Sequence, residues 1–197
     1  IALTAFVNVK NTLAGQWSKL KSHPALPFIS VGLLFFMLSI LMRAVNALPD
    51  ADRITDFTWF TVAQTQAGVY GFFALTMFGA VYYIIPQIAG IQLPSSKLVR
   101  AHFWCAVSGI LLLVVPLAVG GLVQGSRLTD PTVSIEQVTQ ATLPFLRAST
   151  AGDLLIAVGH VCFGLNLFIL LLIYLKRLLV PACIAATTPI STAEAKA

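Results

Sequence analysis

Four apolar runs, each long enough to cross a bilayer, constrain this chain more than any motif in it. They occupy residues 27–48, 58–85, 98–123 and 150–174. A hydrocarbon core of about 30 Å takes roughly 20 helical residues to cross, and in hydrocarbon a helix satisfies its own backbone polar groups. The chain is 197 residues long and only 10% charged, against about 25% for a soluble domain. The prediction is an all-α fold, a polytopic transmembrane helical bundle of about four full spans.

A fifth stretch, residues 1–20, is apolar only in its first third and then carries Lys10, Asn11, Gln16, Trp17, Lys19 and Lys21. It reads as a partial span or an interfacial amphipathic helix. The organisation predicted is therefore an N-terminal partial helix and connection over 1–26, the four-span bundle over 27–178 and a tail over 179–197. No basic region followed by a cleavage site opens the chain, so a signal peptide is not expected. The start at Ile1 reads as the tail of something longer or as a processed end.

Prolines punctuate the runs. Pro24 and Pro27 precede the first, Pro86 closes the second, and Pro94-Ser95-Ser96 sets the turn before the third. The longest predicted connection, residues 125–149, contains Asp130-Pro131 and a polar stretch from Ser134 to Gln140 that suits one or two helical turns. Charge then orients the bundle. Lys10, Lys19, Lys21, Lys97, Arg100, Lys176, Arg177 and Lys196 fall on one side, against Arg43, Arg53, Arg127 and Arg147 on the other. The first side is expected in the cytoplasm, with the C-terminus. Asp50, Asp52, Asp56, Asp130, Glu136 and Asp153 are expected on or near the outer side. The net charge of +5 is then a topology signal, and no nucleic-acid partner is implied.

Polar groups at membrane depth are the functional candidates, because an ionised side chain at a span centre costs about 2.5 to 3.5 kcal/mol on insertion scales. Gln64 and Gln66 stand mid-span in Thr61-Val62-Ala63-Gln64-Thr65-Gln66-Ala67-Gly68. Two residues apart, they leave a helix roughly 200° from each other, so one helix serves two neighbours. The simple reading is a pair of amide ties between helices. His160, in Val158-Gly159-His160-Val161-Cys162, is the titratable side chain well inside a span. A haem ligand, a quinone contact and a proton relay are the functional readings; a neutral histidine bonded to a neighbouring helix is the expected one, since no other span offers it a partner at depth. His102, followed by Phe103-Trp104, reads as an interfacial anchor, and His23 carries no signal. Ala67 with Gly71, and Gly121 with Gly125, are small-residue pairs suited to close helix packing. Cys105, Cys162 and Cys183 have no paired spacing and read as small apolar fillers, so no metal site is expected. Phosphate-cradling loops, paired carboxylates at depth and nucleophile elbows do not occur, and no catalytic residue is assigned.

Ordered along the chain stand Asn11-Thr12-Leu13, Gly15, Trp17, Lys19-Leu20, Pro24, Phe28 and Arg43-Ala44-Val45-Asn46-Ala47-Leu48. They are followed by Thr61-Val62, Ala67-Gly68, Gly71, Gly79, Tyr82-Tyr83-x-Ile85-Pro86, Ser96-Lys97-Leu98, His102-Phe103-Trp104, Gly121-Leu122-Val123-Gln124-Gly125 and Asn166. In this order and spacing the chain resembles the C-terminal third of the catalytic subunit, subunit I, of the C-family, cbb-type haem-copper cytochrome c oxidases. The resemblance covers residues 11–174 and is weakest over 126–149. It implies a twelve-helix parent whose last four spans correspond to those found here. The family's pattern at Gln64 and Gln66 is His-x-His, one histidine for each of two haems. A third histidine has Asp56 or Phe57 in its place, and the copper ligands lie upstream of what corresponds to Ile1.

The resemblance therefore implies a degenerate relative: a non-catalytic accessory or structural subunit on the oxidase scaffold, docking onto a larger respiratory or photosynthetic electron-transfer complex. Its expected partners are other membrane subunits, lipids and quinone, in a bacterial inner membrane. No cofactor is expected, with Gln64 and Gln66 as vestigial haem-ligand positions. One alternative is the C-terminal part of a split or divergent cytochrome c oxidase or nitric oxide reductase catalytic subunit that still binds haem, with His160 as candidate ligand. Another is a quinone- or lipid-binding membrane subunit.

Overall fold

The computed structural model describes Thr4, Val7, Asn8, Asn11 and residues 23–187, with side chains through Pro181. Most of the predicted N-terminal partial helix lies outside the described residues, as do Lys10, Lys19, Lys21, Lys196 and the side chain of Cys183.

The regular structure among the described residues is all helical, without strands. Helix α1 is Leu26–Asn46, α2 Pro49–Thr55, α3 Trp59–Gln66, α4 Leu75–Ala89, α5 Ser96–Leu128 and α6 Ile135–Thr187, with a π-helical segment, Ala67–Ala74, joining α3 to α4 in one continuous rod. Among the described residues, four helices are long and apolar enough to cross a membrane: Leu26–Asn46, Trp59–Ala89, Ser96–Leu128 and Ile135–Pro181.

The first span begins and ends close to the expected positions, the second and third run on by four and five residues at their C-terminal ends, and the fourth begins much earlier. Pro86 does not close the second. It sits inside α4, which stops at Gly90, in the left-handed region at φ 60°, where a residue without Cβ adopts the turn freely. The predicted connection of residues 125–149 is nearly all helix. Ser134 opens α6 with a capping box: the Gln137 amide donates to Ser134 Oγ at 3.3 Å, and the Ser134 amide donates to Gln137 Oε1 at 2.9 Å. That reciprocal pair nucleates a helix that runs on through Pro144, where the ring removes one ladder bond and the flanking turns hold. At 53 residues α6 is about 80 Å long, far more than a bilayer needs.

Helices α5 and α6 pack antiparallel along most of α5, the most extensive contact in the bundle. Glycine permits it. A Cβ on Gly152 would meet the Leu113 amide nitrogen and the Gly109 carbonyl, and one on Gly120 would meet Phe145. Asn166, fully buried, bridges the N-terminal end of α5, accepting from the Ser95 amide at 3.3 Å and donating to the Ser95 carbonyl at 3.1 Å. Gly121 and Gly125 hold the opposite end, where an added Cβ would fall on the Phe60 amide and the Ile54 carbonyl. Gly71 lies against the Phe35 side chain of α1, and Ala67 one turn before it is fully buried. Both small-residue pairs thus mark close helix approach.

This pairing corrects one expectation. Asp153 does not lie near the outer end. Its neighbour Gly152 packs on Gly109 and Leu113, midway along a stretch of α5 that has no Asp, Glu, Lys or Arg between Arg100 and Arg127.

Candidate functional site

Among the described residues, three polar features of the spans are candidates for function. The first is the glutamine pair. Thr58 caps α3, its Oγ1 accepting from the Phe60 amide at 3.3 Å, and the Trp59 amide donates to Gln124 Oε1 on α5 at 3.0 Å. With the helix start pinned, Gln64 meets α1: Asn46 Nδ2 donates to Gln64 Oε1 at 3.1 Å. This is an amide tie between spans. Gln66 is half-buried and has no hydrogen-bond partner among the described residues. The π segment starts at the next residue; such wide turns often sit at functional positions.

The second constellation surrounds His102. The residue is fully buried, which overturns its assignment as an interfacial anchor. It falls on the inward stripe Val99, His102, Ala106, Gly109, Leu113 of α5, the spacing of one helix face. Tyr82 Oη lies 3.0 Å from His102 Nδ1. The rings of Phe78, Phe28 and Phe163 stand at 4.7, 5.2 and 5.3 Å from the imidazole. His160 of α6 packs on Phe78 at 5.1 Å and comes within 6.1 Å of His102, centre to centre, so it has ring neighbours at depth, but the expected hydrogen bond to a neighbouring helix is not found among the described residues. His102 Nε2 is buried without a hydrogen-bond partner. The Tyr82 hydroxyl and Nδ1 share one hydrogen bond whose direction follows the imidazole tautomer, and together with the surrounding rings they form an aromatic plug. No group of three or more His, Cys, Asp or Glu among the described residues is arranged to hold a metal ion.

A groove of ≈ 400 Å³ opens beside this plug, sharing Phe28 and Phe103 with its surroundings and lined also by Pro27, Val99, Arg100 and Trp104. Apolar walls with one cation at the rim suit an amphiphile. His23, which carried no signal in the sequence, borders the groove and stacks on Tyr83 at 5.3 Å.

The third is Asp153, exposed on α6, with no ion-pair or hydrogen-bond partner among the described residues.

The sequence expectations are met at Gln64, in its tie to a neighbouring helix, and missed at His102. Asn46, Gln124 and Asn166 were legible as members of a resemblance but not as the hydrogen-bonding residues they are. Each reaches a partner on another helix, and in two cases a main-chain group, which no spacing in the sequence reveals.

The family described as cytochrome c and quinol oxidase polypeptide I matches residues 1–155. The chain is 33% identical over 120 residues to the cbb3-type cytochrome c oxidase subunit CcoN1 of Stutzerimonas stutzeri, covering 60% of this chain and 25% of that protein. It is 28% identical over 169 residues to a bacteroid cytochrome c oxidase subunit 1 homolog of Bradyrhizobium diazoefficiens, covering 82% of this chain and 31% of the relative. A homolog from Azorhizobium caulinodans is 24% identical over the same length. The chain thus spans between about a fifth and a third of the length of the curated relatives it matches.

Proposed function

We propose a function from one premise: the chain belongs to the cytochrome c and quinol oxidase polypeptide I family. It is a non-catalytic membrane subunit that keeps the helix-packing faces of the oxidase scaffold and docks onto a larger electron-transfer complex. The observation that carries this reading is the Asn46–Gln64 bond. A carboxamide is not among the groups that hold haem iron in proteins, which are imidazole, thiolate, thioether and phenolate. Here that carboxamide is spent on a neighbouring helix. Gln66, the other of the pair, offers the same chemistry, so the donors at these two positions do not fit a haem, and no step of oxygen reduction is assigned to them.

Docking is the activity left to such a bundle. Its relatives are named as oxidase subunits, and its partners on this reading are other membrane subunits of a respiratory or photosynthetic assembly. The basic end of the bundle, with Lys97, Arg100, Lys176 and Arg177, faces the cytoplasm of a bacterial inner membrane.

One gentle purification tests this. We expect the chain to copurify in fixed ratio with other membrane subunits, and the chain purified by itself to show no haem Soret band. Recovery from native membranes alone and monodisperse would refute docking. A Soret band that tracks the chain and vanishes in His160→Ala would instead favour the alternative, a piece of a divergent catalytic subunit. The groove beside His102 favours a third reading, a quinone- or lipid-binding subunit, for which bound quinone in the extract is the marker.

A further inference from the structure

We propose that the outward face of α6 around Asp153 is a docking seam for a single transmembrane helix of another chain, and that this helix presents a lysine or arginine to the Asp153 carboxylate. The inference deepens the docking function proposed above and rests on it.

Depth is the first part of the case. The contact of Gly152 with Gly109 and Leu113 sets Asp153 level with the middle of α5. Between Arg100 and Arg127 that helix rises about 40 Å without an ionised residue. The carboxylate therefore projects at a level where the bundle is surrounded by hydrocarbon. An ionised group there is expensive unless it is paired, and no cation pairs with it among the described residues. The nearest one in sequence, Arg147, lies six positions away, about 240° around the helix.

The shape of the same face is the second part. Asp153, Ala157, Val161, Gly164 and Phe168 follow at helical spacing and all are exposed, and a Cβ on Gly164 would meet nothing within 4 Å. Gly152 and Gly159, by contrast, are spent against α5. Small residues at Ala157 and Gly164 let another backbone approach closely. Charge selects the occupant. A second copy packed on this face about a two-fold axis would bring two Asp153 carboxylates together, whereas a helix with a cation at that level neutralises the charge.

The test places a photo-cross-linking residue at Val161, and separately at Phe168, in the full chain in its native membrane. The expected product joins α6 to a membrane-spanning peptide of a different chain, with Lys or Arg at the level of Asp153. Asp153→Leu and Asp153→Lys should each lower the copurified partner at least tenfold, and exchanging the partner's cation for Asp should restore binding to Asp153→Lys. Cross-links confined to lipid, to another segment of the same polypeptide or to a second copy would overturn the proposal, as would undiminished partner in Asp153→Leu. Because the side chain is exposed, Asp153→Leu should melt in detergent like the parent. A second measurement fixes the depth. In liposomes, Asp153→Cys should add no labelling by a membrane-impermeant maleimide above the parent's background, and labelling as fast as Thr132→Cys would overturn it. The Soret spectrum tests the haem-free reading separately, so the two can fail independently.

Discussion

Substituting Gln64 by leucine tests whether this amide is a structural tie. The structure gives it one interhelical bond, from Asn46 Nδ2 at 3.1 Å, between half-buried side chains. Asn46 Oδ1 is already buried without a partner, so Gln64→Leu leaves the whole Asn46 amide unsatisfied. The penalty for stranding such a group is about 1 to 3 kcal/mol; since the site is only partly buried, we expect about 1 to 2 kcal/mol. Asn46→Leu should cost a similar amount. The double variant should cost less than the sum, with a coupling energy of about 0.6 kcal/mol and no more than about 1.7. Gln66→Leu is the internal control and should stay within about 0.5 kcal/mol. Equilibrium unfolding in mixed micelles, read by tryptophan fluorescence and analysed as a double-mutant cycle, supplies all four numbers. A coupling indistinguishable from zero would refute the reasoning, as would a Gln66→Leu penalty equal to that of Gln64→Leu, because the pair would then be doing something other than tying α3 to α1.

Three further outcomes are expected. Gly125→Ala should destabilise by about 2 kcal/mol or more, since its Cβ would fall on the Ile54 carbonyl and overpacking against backbone has no flexible side chain to relieve it; Gly68→Ala, facing Ser39 at 3.9 Å, should be nearly neutral in the same unfolding assay. Tyr82→Phe removes the hydroxyl bonded to His102 Nδ1 and should cost about 1 kcal/mol, visible in a histidine nitrogen NMR spectrum as a shift of the tautomer balance. In the α5–α6 turn, hydrogen bonds from the Thr132 hydroxyl and amide hold the Asp130 carboxyl below its usual range. A lowered folded-state value means the turn's extra order is present above the ordinary carboxylate range and is lost as pH falls through the lowered value, so amide protection factors across residues 129–134, taken relative to the unstructured exchange rate at each pH, should fall on acidification.

The spans were legible because length and hydropathy suffice for them. Their interior was not. His102 followed Arg100 and preceded Phe103-Trp104, a neighbourhood that argues for an interface; the contrary signal, its place on the stripe with Val99, Ala106 and Gly109, was present but needs the opposing helix to give it meaning. Ser134 and Gln137 likewise held a helix start in plain view, masked by the polarity of the stretch they open. Asp153 illustrates the reverse limit. Its position in sequence, just inside the last apolar run, suggested a boundary, and only the contact of Gly152 with α5 sets its depth.

The π-helical Ala67–Ala74 stretch has a consequence for tolerance to change. A π turn closes its hydrogen bonds five residues apart instead of four, so this part of the rod holds slack: more chain than an α-helix needs to climb the same height. Deleting one residue there can be absorbed by tightening toward α geometry, leaving the Gln64 tie on one side and the Tyr82 plug on the other facing as before. The same deletion in α5, where glycines meet backbone on two sides, has no such reserve and would turn every later contact away from its partner.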